Sequence, residues 1–220
     1  GCRSRRCQSM RKPEEILEII KIFNDRDPNP RCELDYSNAY TLLVAVLLSA
    51  QTTDKGVNRA TAELFKIADT PQKMLGIGVE KLKTYIKTIG LYNNKAKNVI
   101  SLSQELVDKY RGEVPFDRSA LESLPGVGRK TANVVLNVWF NQPTIAVDTH
   151  VMRISHRLEF SDGKTPLDIE KDLNAVLPDN YKKNANHWLV LFGRYICKSP
   201  KPDCANCPVA SYCRSSDKKI

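Results

Sequence analysis

Along most of the chain apolar residues recur every three or four positions, and no stretch alternates apolar with polar residues long enough for a strand. The pattern predicts an all-α protein. Pro13 opens a helix with Ile16, Ile19, Ile20 and Phe23 on one face, and Pro28 and Pro30 end it in a loop. After Ser37 the continuous apolar run Leu42 to Leu48 predicts a fully buried helix ending near Ser49. Asp54 is placed to cap a helix bearing Val57, Ala60, Leu64 and Phe65, and Thr70-Pro71 opens a short one. Leu82, Tyr85, Ile86 and Ile89 form a stripe closed by Gly90, and an amphipathic helix over 95–110 carries Val99, Ile100, Leu106 and Val107. A short helix over 120–124 leads to Leu124-Pro-Gly-Val-Gly-Arg-Lys-Thr-Ala132, which feeds a helix to about Phe140. Residues 144–147 read as extended. Asp148 or Thr149 then starts a helix through Leu158, Thr165-Pro166 starts another to Leu177, and a last one over 184–196 runs into a cysteine-rich loop.

A chain of 220 residues suits one body or two closely packed lobes, and no apolar run approaches the roughly 18 residues of a membrane span. The first nine residues carry arginines with no apolar stretch behind them. They read as an appended leader ahead of Met10 rather than a secretory signal, and Cys2 and Cys7 within them are assigned no function. With 34 Lys and Arg against 25 Asp and Glu the net charge is +9, and removing Arg3, Arg5 and Arg6 still leaves +6. Polyanions are the expected partners, although positive charge alone would also serve solubility. The motifs decide between these.

Four of the seven cysteines crowd together as Cys197-x6-Cys204-x2-Cys207-x5-Cys213, while Cys2, Cys7 and Cys32 are scattered. Without an export signal such clustering points to a metal centre in a reducing cytoplasm rather than to disulfides. Four thiolates suit zinc or an iron–sulfur cluster, and the single short pair leans toward iron–sulfur.

The turn between two helices has glycines at 126 and 128, which permit positive φ and leave no side chain above the backbone. Its amides and the following helix start make a site for a phosphate, and Arg129 and Lys130 add charge. An ordinary helical corner would need the same glycines. A lysine is a nucleophile only as the neutral amine, a small fraction at an ordinary pKa of about 10.4. At a helix start beside Arg129, the dipole and the neighbouring charge both disfavour a charged Lys130. Asp148 would act oppositely, so its expected duty is to stabilise positive charge on a sugar and to shuttle protons, while also serving as a helix N-cap. Attack at the anomeric carbon would expel a base and leave an imine, whose acidified C2′ proton permits β-elimination of the 3′ phosphate.

Taken together, Leu124-Pro-Gly-Val-Gly-Arg-Lys-Thr-Ala-Asn133, Val147-Asp-Thr-His-Val151 and the four-cysteine tail resemble the endonuclease III family of helix-hairpin-helix DNA glycosylases. Leu48-Ser-Ala-Gln-Thr-Thr-Asp54 and Gly90-Leu-Tyr-Asn-Asn-Lys-Ala96 match that family in the same order, so the likeness spans Met10 to Cys213. The resemblance implies two helical lobes with DNA in the cleft between them: a six-helix barrel over 32–142, and a cluster lobe joining 10–31 to 143–220. It implies a [4Fe-4S] cluster on Cys197, Cys204, Cys207 and Cys213, Lys130 as nucleophile and Asp148 as its assistant. Gln51 would fill the space left by a flipped nucleotide and Leu91 would wedge beside the orphaned base. Gly126, Gly128 and Arg129 would hold phosphate, and His150 would contact either the site or only a backbone group. The implied activity is a monomeric base excision repair glycosylase and lyase acting on oxidised pyrimidines in duplex DNA, located with the bacterial nucleoid. A glycosylase for mismatches or purines, or a non-catalytic DNA-binding module, are the alternatives, and Lys130 argues against the related adenine glycosylases.

Overall fold

The computed structural model describes residues 10–220, so the leader at 1–9 lies outside the described residues. Every regular element described is helical. In chain order these are α1 (Pro13–Arg26), α2 (Ala39–Leu48), α3 (Asp54–Ile67), α4 (Pro71–Ile86), α5 (Tyr92–Tyr110), α6 (Arg118–Ser123), α7 (Arg129–Val138), α8 (Thr149–Arg157), α9 (Pro166–Val176) and α10 (Asp179–Tyr195). A single 3-10 turn, Cys204–Asn206, sits in the cysteine loop.

The chain divides into two compact units, each with its own hydrophobic core: Cys32–Gln142, and the chain through Arg31 together with Pro143–Ile220. In the first unit α2 is the centre. Every residue from Tyr40 to Leu48 is buried, as a helix apolar all round requires, and α3, α5 and α7 pack on it. Its polar start is satisfied locally, since Asn38 Oδ1 accepts from Thr41 N at 2.7 Å and Thr41 Oγ1 accepts from Asn38 N at 3.1 Å. Buried Tyr40 and Ser103 pair through their hydroxyls at 2.6 Å.

Several boundaries differ from the sequence expectation, each for a local reason. Thr53, not Asp54, caps α3: its Oγ1 accepts from Gly56 N at 3.1 Å, and Asp54 becomes the first helical residue, where its charge suits the dipole. The short helix after Pro71 and the stripe closed by Gly90 form one element, α4, broken only at Gly78 (φ 79°, ψ 167°). α5 begins three residues early, at Tyr92, because Leu91 adopts a left-handed conformation and takes the N-cap position. α7 stops at Val138. α10 begins at Asp179, five residues early, because its polar first turns DNYKKN carry no apolar stripe to mark them.

The second unit closes around Arg11, which is 4% exposed. Its guanidinium donates to Leu158 O at 2.9 Å, to Tyr212 O at 2.5 Å and to Glu15 Oε2 at 2.8 Å, and its amide donates to Glu159 O at 2.9 Å. One side chain thus joins the entry to α1, the end of α8 and the turn before Cys213. Arg11→Ala would strand the buried Leu158 carbonyl and the half-buried Tyr212 carbonyl, so stability should fall by about 2–3 kcal/mol. A urea titration reads this as a lower midpoint at constant slope; an unmoved midpoint would show that the tie carries no weight.

Candidate active site and cysteine loop

The hairpin is the turn between α6 and α7. Leu121, Leu124 and Val127 anchor it in the core, and Val127 N donates to Leu124 O at 3.1 Å. The two glycines do different work: one uses the freedom of positive φ, and the other leaves no side chain above the backbone. Gly126 is left-handed (φ 76°), and a Cβ there would stand 2.8 Å from Asn98 Nδ2 and 2.9 Å from Asn98 Cβ. Gly128 is extended (φ −96°, ψ −177°) with nothing within 4 Å of an added Cβ. Gly128 is also the N-cap of α7 and brings no side chain to cap the first turn of that helix. Lys130, the second residue of α7, is exposed, and no hydrogen bond or ion pair among the described residues holds its ammonium. Arg129 is half-buried beside it.

Gln51 and Leu91 lie in the same unit as the hairpin. Both are exposed, Leu91 at 66%, and both have left-handed backbones, with φ 59° and 57°. A bulky residue in that region is rare. Lys95 joins the two turns by donating to Leu48 O at 3.0 Å, Ala50 O at 2.5 Å and Thr52 Oγ1 at 3.4 Å. Sequence reasoning missed Lys95 and Asn98. The available signal was Lys95 in register with Val99, Leu102 and Leu106, a charge on an apolar face.

Asp148 belongs to the other unit. It is half-buried and caps α8, with Oδ1 accepting from Val151 N at 2.8 Å. The Asn-like geometry of a cap commits one oxygen and leaves the second for other work. His150 faces a side chain: its Nδ1 lies 3.1 Å from Arg153 Nη2, which also donates to Gly193 O at 2.8 Å and Cys197 O at 3.2 Å.

Cys197, Cys204, Cys207 and Cys213 line one concavity beyond the end of α10, together with Arg157, Leu158 and Ile196. The thiols stand around it rather than converging on one point, and no three metal-binding side chains among the described residues are close enough to grip a single ion. Arg157, which sequence reasoning also missed, donates from Nη1 to Cys197 Sγ at 3.3 Å and pairs with Asp217 at 2.9 Å. Burial pushes the Cys197 and Cys207 thiols up from their ordinary value, and at Cys197 the Arg157 guanidinium opposes the rise.

With a glycine hairpin, an uncapped helix start bearing a bare lysine and a four-thiol loop, the chain belongs to the HhH-GPD superfamily of base excision DNA repair proteins, whose family model matches residues 44–179. Within it the chain is similar to endonuclease III of Escherichia coli strain K12, 52% identical over 202 residues that cover 92% of this chain and 96% of the relative. Endonuclease III of Haemophilus influenzae is 50% identical over the same shares. Among solved structures, a trapped endonuclease III–DNA covalent intermediate with an estranged adenine matches at a TM-score of 0.89 and 45% identity, covering 93% of this chain and 97% of that one. A thermostable thymine-DNA glycosylase, 23% identical at a TM-score of 0.79, shares the fold.

The two glycines are separable by mutation. Gly126→Ala should destabilise by more than about 1 kcal/mol, from φ and from the Asn98 contact. Gly128→Ala should cost less than about 1 kcal/mol yet weaken duplex binding, by filling the open space at the cap of α7. Thermal melts and fluorescence anisotropy check this, and equal stability losses would refute the distinction.

Proposed function

We propose that the chain is a bifunctional DNA glycosylase and abasic-site lyase of base excision repair, acting on oxidised pyrimidines in duplex DNA through Lys130. The observation that carries the reading is the start of α7: an unheld ammonium two residues after a glycine N-cap that brings no capping side chain and leaves open space above it. That arrangement accepts a phosphate and offers an amine within one turn of it. The similarity to endonuclease III, one structure of which is a trapped covalent intermediate with DNA, supports the same reading.

In the proposed reaction the neutral Lys130 amine attacks C1′ of the flipped nucleotide, and the C1′–N bond breaks as the departing base takes a proton. Asp148 stabilises the positive charge that develops on the sugar and moves protons as the ring opens to an imine. Loss of the C2′ proton then expels the 3′ phosphate, and water releases Lys130. Gly126, Gly128 and Arg129 fix the phosphate; Gln51 fills the vacated stack and Leu91 wedges beside the orphaned base. His150, engaged by Arg153, serves to hold the entry of α8. The Cys32–Gln142 unit carries the hairpin and both probing residues, and the other unit carries Asp148 and the cysteine loop.

The four thiols fit a [4Fe-4S] cluster: all are soft sulfur donors, and they surround a shared concavity as ligands of a multi-iron cage do. Bound there, the cluster would brace the loop that runs from Cys197 to Cys213. Arg157 orients Cys197, and Arg11 ties Tyr212 beside Cys213 to α8. Among the described residues no helix is long and apolar enough to cross a membrane, and a place beside the nucleoid follows from the substrate.

Borohydride should trap the protein on an abasic duplex, and Lys130→Gln should abolish the adduct while leaving binding; an adduct that persists would remove Lys130 from its role. Asp148→Asn, which keeps a capping oxygen, should fold normally but slow base removal by about 100-fold or more. Near-normal rates would leave Asp148 as a cap alone. A panel of duplexes bearing single lesions should show preference for oxidised pyrimidines, and preference for mismatched or purine bases would reassign the specificity. Purified protein should be brown, with iron and acid-labile sulfide that Cys204→Ser loses; a colourless zinc protein would overturn the cluster assignment.

A further inference from the structure

Lys95 is 6% exposed and sits in the first helical turn of α5, four residues after Leu91, whose carbonyl accepts from Lys95 N at 3.0 Å. Its ammonium has three hydrogens, and all three are used on the turn that holds Gln51: Leu48 O, Ala50 O and Thr52 Oγ1. Among the described residues no carboxylate pairs with it, so the charge is offset only by carbonyl dipoles at the C-terminal end of α2. Burial lowers its pKa from the ordinary value. A buried cation with no counter-charge is costly, and a methionine would fill the same volume without that cost. The residue lies between the only two left-handed positions that the proposed mechanism sends into the duplex. Gly90, the residue before Leu91, lies beside the same turn, where an added Cβ would be in ordinary contact, 3.9 Å from both Gln51 O and Thr52 Oγ1.

We infer that Lys95 is a positioning residue that fixes the spacing and backbone of Gln51 and Leu91, so that both enter the duplex together when a nucleotide is flipped. The inference rests on the reading of Gln51 and Leu91 as the gap-filling and wedging residues. Physically, the ammonium satisfies carbonyls that α2 leaves unpaired where its chain turns into the left-handed Gln51. The same side chain is rooted in the helix that Leu91 caps. Without it, each turn keeps its own fold but loses its register to the other, and a strained residue not over-determined by its surroundings relaxes.

A single-stranded abasic oligonucleotide has no opposite base to orphan and no stack to fill, so it needs the amine but not the paired tips. The experiment is therefore the ratio of cleavage rates on duplex and single-stranded abasic DNA, for Lys95→Met, Gln51→Ala with Leu91→Ala, and the three combined. The duplex-to-single-strand ratio should fall about 10- to 100-fold in Lys95→Met, the scale expected when a substrate is misplaced. It should fall no further when Lys95→Met is added to the Gln51 and Leu91 pair. A general folding defect would slow both substrates together and hold the ratio, which overturns the proposal, as does a further full fall in the combined variant. If the Gln51 and Leu91 pair leaves the ratio unmoved, the reading of the tips fails, a result separate from an inert Lys95→Met beside an active pair. Should Lys95→Met not accumulate as folded protein, Lys95→Arg keeps a cation among the same carbonyls but shifts its reach. Its ratio should fall by a smaller factor, and a wild-type ratio would count against the proposal.

Discussion

The first amides of an α-helix have no partner inside the helix, and in this protein six of the helices receive one from a side chain at the N-cap, from Asn38, Thr53, Thr70, Asp117, Asp148 or Thr165. α1, α5 and α10 receive none, and neither does α7, where Gly128 stands in the cap position and leaves open space above it. In the proposed reaction a phosphate takes the place of that cap, which would bring its sugar to the residue two positions on, Lys130. The rest of the first unit serves this arrangement. Buried α2 carries α7, Gly126 turns the chain against Asn98 of α5, and Leu124 and Val127 lock the turn to the core.

Asp148 shows the opposite use of the same rule. It caps α8 through one oxygen, so its position is set by backbone hydrogen bonding rather than by a flexible stem. A carboxylate held in this way is preorganised for charge that appears during a reaction. Gln51 and Leu91 are held differently, by left-handed backbones that cost energy and that the surrounding turns must enforce. The proposed functional groups are thus placed by backbone geometry at helix ends and turns, and the cores keep those ends in place.

How much of this was legible in the sequence follows from what each residue type can signal. The α2 run, the stripe of α5 and the proline starts of α1, α4 and α9 were readable because burial periodicity and fixed φ leave marks in the letters. The polar start of α10 leaves none. Gly126 and Gly128 look alike as letters, and only coordinates separate a glycine needed for φ from one needed for open space. Left-handed conformation at Gln51 and Leu91 is outside any propensity, so their importance came from family likeness alone. Lys95 was the readable residue that went unread, a lysine in an apolar register. The four cysteines were legible as one cluster from spacing, and they line one concavity, whereas Arg157 on the Cys197 sulfur is forty residues away in sequence and appears only in the fold.

In the proposed mechanism one amine, at the start of α7, becomes covalently joined to DNA. Protease digestion of the borohydride-reduced complex, followed by mass spectrometry of the DNA-bearing peptide, addresses it most directly. The expected result is a single adducted residue, Lys130, within the peptide that begins the second hairpin helix. An adduct carried by any other lysine, or by the chain's amino terminus, would contradict it.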